Sequence, residues 1–117
     1  MATRPAAPPI EACCAPIVEA PLSAAESVRL AAAFKVLAEP ARLRLLSLLA
    51  AQPGGEACVC DLTEPLGLSQ PTVSHHLRLL HGAGLVSRER RGTFAYYRIE
   101  PERLGVLRDA LRDVSPQ

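Results

Sequence analysis

Leu68-Ser69-Gln70-Pro71-Thr72-Val73-Ser74-His75-His76-Leu77 is the stretch that decides the fold. Ser69 is a good helix N-cap, and Pro71 suits a first turn, where the amides have no helical partner. Val73, Leu77 and Leu80 recur at helical spacing and predict one buried side. At about 100° per residue this leaves Pro71, His75 and Arg78 on the far side, flanked by Thr72 and Ser74, with Gln70 at the N-terminal tip. Gly67, just ahead, is placed to turn the chain with a positive φ. Gly82 and Gly84 stop the helix.

Working backward, a short helix is expected from about Cys58 to Leu66, with Val59, Leu62 and Leu66 inward. Pro53-Gly54-Gly55 ends a helix that begins at Pro40. Its buried stripe is read as Leu43, Leu46, Leu49 and Ala50, with Arg42 and Arg44 facing water. Before it, Ser23 and Glu26 form a capping box for a helix carrying Leu30, Phe34 and Leu37 to about Ala38. Residues 1–22 are rich in Pro and Ala and read as a flexible arm that carries Cys13-Cys14. Working forward, Leu85–Arg90 and Phe94–Ile99 read as two strands, with Arg91-Gly92-Thr93 at the hairpin tip. Pro101 opens a last helix with Leu104, Leu107 and Leu111 on one face. The expected order is α-α-α-α-β-β-α, a mainly α (α+β) fold in which residues 23–114 make one domain. A short helix, a Gly turn, a capped helix and a basic hairpin are the layout of a winged helix-turn-helix.

Composition agrees with packed helices. The chain has 117 residues, 49% of them hydrophobic but only 3% aromatic, so the core must be Leu, Val and Ala. So small a chain is a candidate for extra burial through dimerisation. Net charge is +1 and says little about partners. Its distribution says more: between Ser69 and Arg98 lie Arg78, Arg88, Arg90, Arg91 and Arg98 against the single acid Glu89. A local basic segment is the electrostatic footprint of a phosphate-binding surface, although a solvated hairpin would look alike. No stretch approaches the roughly 18 apolar residues of a membrane helix. The Pro-rich start has no apolar run typical of a secretory signal. The expected setting is cytoplasmic and reducing, without a membrane partner, so the four Cys read as thiols or ligands rather than disulfides.

The polar side of the Ser69-capped helix fits a recognition helix in the major groove of double-stranded DNA. Gln70 can pair bidentately with adenine, while Ser69, Thr72 and Ser74 can serve base edges or phosphates. His75 and Arg78 extend that side. Arg88, Arg90, Arg91 and Thr93 around the hairpin tip would reach backbone or minor groove. The same pattern on one helix alone would fit a merely wet surface helix; the combination favours DNA. His75 and His76 point about 100° apart, so they cannot readily share a metal ion. His76 is expected to be a partly buried packing residue, and His81 to sit favourably at the helix end.

Cys58 and Cys60 carry the other chemistry. Thiolates at a helix start have a lowered pKa and select soft acceptors. In a regular helix residues i and i+2 lie about 200° apart, so the pair could converge on one ion only if that helix start is open or distorted.

The runs Leu37-Ala38-Glu39-Pro40-Ala41-Arg42-Leu43-Arg44-Leu45-Leu46-Ser47-Leu48-Leu49, Ala57-Cys58-Val59-Cys60-Asp61-Leu62 and Leu68 to Val86 closely resemble the ArsR/SmtB family of metal-sensing repressors, over roughly Ala32 to Leu111. The resemblance implies a dimeric winged helix. Its apo homodimer would hold an operator of inverted-repeat DNA with half-sites ~34–36 Å apart, and metal would release it. The Ala-rich first helix and the stripe on the last would supply the dimer face. Family members with a zinc-type site place Asp and His on the last helix; here residues 101–114 contain no His. The thiolate site implied instead uses Cys58 and Cys60. Where some arsenite-responsive members carry a further Cys, this chain has Thr63. Cys13 and Cys14 are then the candidates for the missing sulfurs, in a site that could span two subunits. Three sulfurs suit As(III) or Sb(III) as inducer; four would suit Cd(II), Pb(II) or Zn(II). A thiol redox sensor is a further reading. A small thiol enzyme is not expected, because no phosphate loop and no nearby His accompany either Cys pair.

Overall fold

The computed structural model describes residues 16–113. Helix α1 spans Ala24–Leu37 and starts on the expected capping box. The Ser23 amide donates to Glu26 Oε1 (2.9 Å), and the Glu26 amide donates to Ser23 Oγ (3.1 Å). Helix α2 is Pro40–Ala51, with Pro at its first position and Glu39 capping it. Helix α3 is one turn, Thr63–Leu66, closed by Gly67 at φ 68°. Helix α4 runs Gln70–Gly82, capped by Ser69. Strands β2 (Val86–Arg91) and β3 (Phe94–Ile99) form the hairpin, and α5 is Pro101–Ala110. Gly92 at φ 64° takes the left-handed position of the two-residue turn between them.

The segment around the cysteines departs from the expected order. The anticipated helix from Cys58 is a short strand, β1 (Glu56–Cys58), followed by a 3-10 turn over Val59–Asp61, and only then α3. Strand β1 pairs antiparallel with β3, which places Ala57 opposite Tyr97 and Cys58 opposite Tyr96. The sheet is therefore three-stranded, ordered β1-β3-β2. The order α-α-α-α-β-β-α becomes α-α-β-α-α-β-β-α. The physical reason is the free edge of β3: its backbone amides and carbonyls gain partners when the chain leaving Gly55 lies extended beside them.

The core fills the space between helices and sheet. Leu45, Leu49, Leu62, Val73, Leu77, Leu80 and Leu85 are its fully buried side chains. Burying each contributes about 1.5–3 kcal/mol. The stripe of α2 is rotated from the expected one: Leu45, Leu46 and Leu49 are buried, Ala50 is exposed and Leu43 is 53% exposed. Arg42 does not face water either. It bonds the Val36 carbonyl through Nε and His76 Nδ1 through Nη1 (3.2 Å), thereby tying α1 and α2 to α4. On α5, Leu107 is buried and Leu104 partly so, whereas Leu111 is 64% exposed.

The described part of the expected arm, residues 16–22, meets the domain at its two ends and is exposed between them. Pro16 is buried, Leu22 lies against the core, and the Ile17 amide donates to the Ala110 carbonyl at the end of α5 (2.9 Å). Ile17, Val18, Val28 and Leu111 on these elements remain exposed. Cys13 and Cys14 lie outside the described residues.

Candidate nucleic-acid interface and cysteine cleft

The Ser69 cap fixes the start of α4. Ser69 Oγ accepts the Thr72 amide (3.4 Å) and donates to Thr72 Oγ1 (2.9 Å). Both side chains are thus partly spent on capping. Gln70, Thr72, His75 and Arg78 are exposed, and Ser74 is half-buried. Val73, Leu77 and Leu80 are all buried, as the periodicity required. Helix α4 therefore presents the expected polar side to solvent.

His76 is the half-buried partner of Arg42, and its ring lies 5.9 Å from that of His75, tilted by 52°. Burial, and then the Arg42 charge, hold its pKa below the ordinary histidine value, while Glu39 pulls weakly the other way. The Arg42 bond needs an unprotonated Nδ1, so His76 is neutral when it forms. His81 is exposed in the last turn of α4.

The hairpin arginines divide by strand alternation. Arg90 pairs with Ala95 and Arg91 with Phe94, so their side chains leave opposite faces of the sheet. Arg91 sits between Glu89 (2.6 Å) and Glu56 (2.9 Å), with its guanidinium 4.4 Å from the Tyr96 ring centroid. The hydrogen bonds that it donates, first to Glu89 and then to Glu56, raise its pKa still further. Glu56 also reaches Arg98 at 3.6 Å. The Arg91 guanidinium is therefore ion-paired within the wing. Arg88 and Arg90 are exposed, and neither side chain has a hydrogen bond or ion pair among the described residues.

The cysteines converge. Cys58 is extended (φ −71°, ψ 147°) and buried, Cys60 is exposed in the 3-10 turn, and the Cys60 amide donates to Cys58 Sγ (3.2 Å). Their sulfurs are joined as a disulfide, so no described cysteine is free. The expectation of thiols is thus not what the structure displays. The expected obstacle of a 200° separation is removed as well, because Cys58 is extended and lies outside any α-helix. Among the described residues no third His, Cys, Asp or Glu joins the pair.

A cleft of about 170 Å³ links these parts. Cys58 and Cys60 form one wall, Gln70 and Ser74 of α4 a second, and Arg90 and Thr93 of the wing a third. Val59, Phe94 and Ala95 add apolar lining. Sequence reasoning did not pick these three out. The only signal was Phe94, a large apolar residue beside a hairpin tip, which the fold leaves 53% exposed. Glu56 was also missed, because its role depends on β1.

The helix-turn-helix with a β-hairpin wing defines the class: a winged helix regulator. A model described as "Bacterial regulatory protein, arsR family" matches residues 39–88. The arsenic resistance transcriptional regulator ArsR1 of Pseudomonas putida is 48% identical over 69 residues, 59% of this chain and 52% of that protein, so the chain matches about half of that relative's length. The arsenical resistance operon repressor of Bacillus subtilis is 39% identical over 79 residues, 67% of this chain and 73% of that one. Among solved structures, the AntR antimony-specific transcriptional repressor superposes with TM-score 0.64 at 35% identity, covering 77% of this chain and 80% of that one. A homodimeric winged helix-turn-helix DNA-binding domain from Mycobacterium bovis gives TM-score 0.62 at 31% identity, covering 76% and 83%. The chain belongs to the ArsR family of bacterial regulatory proteins.

Proposed function

We propose that this chain is a transcriptional repressor that holds operator DNA as an apo homodimer and lets go when As(III) or Sb(III) is captured by cysteine sulfurs, derepressing a resistance operon. One observation carries the reading: the cleft in which Cys58 and Cys60 face the same space as Gln70 and Ser74 of the reading helix and Arg90 and Thr93 of the wing. A soft ion gripped there acts on the DNA-facing groups themselves. Gln70 at the tip of α4 is the base-reading candidate, with Ser69, Thr72, Ser74, His75 and Arg78 beside it. Arg88, Arg90 and Thr93 supply phosphate contacts; Arg91 serves the wing's own geometry. The exposed Ile17, Val18, Val28 and Leu111 offer the apolar surface for a second copy, and the two-fold axis asks for an inverted-repeat operator. The protein binds and releases and catalyses nothing. Its work belongs in the cytoplasm, where the sulfurs are kept reduced.

The relatives support the inducer class, since their names speak of arsenic and antimony. Cys58→Ser is the direct test. Operator affinity without metalloid should stay within about twofold, because Cys58 lies outside the reading face, and release by arsenite should be abolished. A variant that still dissociates normally removes Cys58 from the sensor. The Cys58–Cys60 disulfide favours a second reading, in which the redox state of this pair sets operator affinity. Reduced protein that ignores arsenite yet changes its operator affinity on oxidation would establish that reading instead.

A further inference from the structure

We propose that Glu56 and Arg91 are positioning residues for DNA binding: their ion pair straps the wing tip to β1 and so holds Arg90 and Thr93 in place to meet the duplex. The inference rests on the DNA-contacting reading of the wing above and specifies what aims those contacts. The tip of the wing is short of support. Strand β1 accompanies β3 only from Tyr96 to Arg98. The rungs nearer the turn, Ala95 with Arg90 and Phe94 with Arg91, pair with β2 alone. A two-stranded ribbon by itself is marginally stable in water. The Arg91 side chain supplies the missing tie. It lies over the Tyr96 ring of β3, 4.4 Å from the centroid, and donates to both carboxylate oxygens of Glu56 on β1, at 3.1 and 2.9 Å. Its Nε donates to Glu89 on β2 at 2.8 Å. One side chain thus touches all three strands. A guanidinium can do this because it is a rigid planar fork with a stacking face. Glu56 is half-buried, and Arg98 steadies it at 3.6 Å.

Arg90 leaves the opposite face of the same strand, exposed and with no side-chain partner among the described residues. The tie therefore holds the tip without occupying the group that the tip presents. A tip already held loses less freedom on binding, which raises affinity without adding a contact. This has a signature in salt. The slope of log affinity against log salt counts the phosphates neutralised in the complex. Glu56 and Arg91 neutralise none, so their loss should shift that line without tilting it. The sign is a second signature. Glu56 is a carboxylate beside a polyanion, so a purely through-space effect would make its neutralisation tighten binding. The strap predicts the reverse.

The test uses the full chain and a mixed-sequence DNA duplex, titrated over a salt series. Arg91→Ala should bind about fivefold more weakly at every salt concentration and Glu56→Gln about threefold, both on lines parallel to wild type. In an Arg90→Ala/Thr93→Val background the tip has nothing left to present, and neither substitution should weaken binding further. A flattened slope for Arg91→Ala makes Arg91 a phosphate contact and overturns the proposal. So does tighter binding by Glu56→Gln, or an undiminished loss in the Arg90→Ala/Thr93→Val background. The two readings fail separately. Weaker binding by Arg90→Ala with none by Arg91→Ala sinks this inference alone; no loss on Arg90→Ala sinks the wing's DNA contacts themselves.

Discussion

Arg90 and Arg91 are adjacent in sequence and unlike in circumstance. Glu89 and Glu56 meet the Arg91 charge, while Arg90 faces the cleft unpaired among the described residues. Arg90→Ala should therefore weaken binding to all DNA similarly and flatten the salt dependence by about one phosphate contact. Arg91→Ala should leave that slope nearly unchanged. Equal slopes for the two variants would contradict the division. His76 provides a second test at this scale. Its folded pKa is depressed, so its contribution to stability is fully present above the unfolded value of about 6.5 and is lost as pH falls through the folded pKa. Chemical denaturation should show wild type losing stability over that acidic range and His76→Asn losing less of it; parallel curves would remove His76 as the cause. Sequence reading singled out both residues but could not separate Arg90 from Arg91. That separation needs the register of β2 on β3 and the carboxylate of Glu56 arriving from a strand 35 residues away in sequence.

At the level of elements, the capped helix and the hairpin were legible because each carries its own signals. Ser69, Pro71 and the Val73-Leu77-Leu80 stripe specify α4 locally, and Gly92 specifies the turn. Strand β1 was not legible. Three residues are too few for alternation to register, and what makes them a strand is the edge of β3, supplied from far along the chain. The mistaken helix carried a mistaken obstacle with it, since extended backbone at Cys58 lets the two sulfurs meet. The stripe of α2 slipped for a related reason: its near-continuous leucines leave the buried face to be chosen by packing. Gly67, the hinge between α3 and α4, yields the prediction at this scale. It sits at φ 68°, and an added Cβ would meet nothing within 4 Å. Gly67→Ala should then cost only the left-handed backbone term, about 1–2 kcal/mol, read as a lowered denaturation midpoint at unchanged m-value. A neutral substitution would show that the hinge relaxes out of that conformation.

Across the whole molecule, the winged helix, its basic wing and its leucine core were readable from pattern alone, and the family resemblance supplied the dimer and the inducer class. The structure adds the juxtaposition that neither gave: the cysteine turn, the tip of the reading helix and the wing share one cleft. On the proposed function the coupling between ion and operator would need no distant relay, because both would press on the same side chains. In the proposed dimer the exposed apolar residues beside α1 and α5 would meet a second copy, so one operator would engage two such clefts.

The most direct measurement is the operator affinity of the reduced full-length protein, at one fixed salt concentration, with and without saturating arsenite. The account predicts that the loaded protein binds about 5- to 150-fold more weakly, a coupling of roughly 1–3 kcal/mol. Equal affinity in the two states would contradict it.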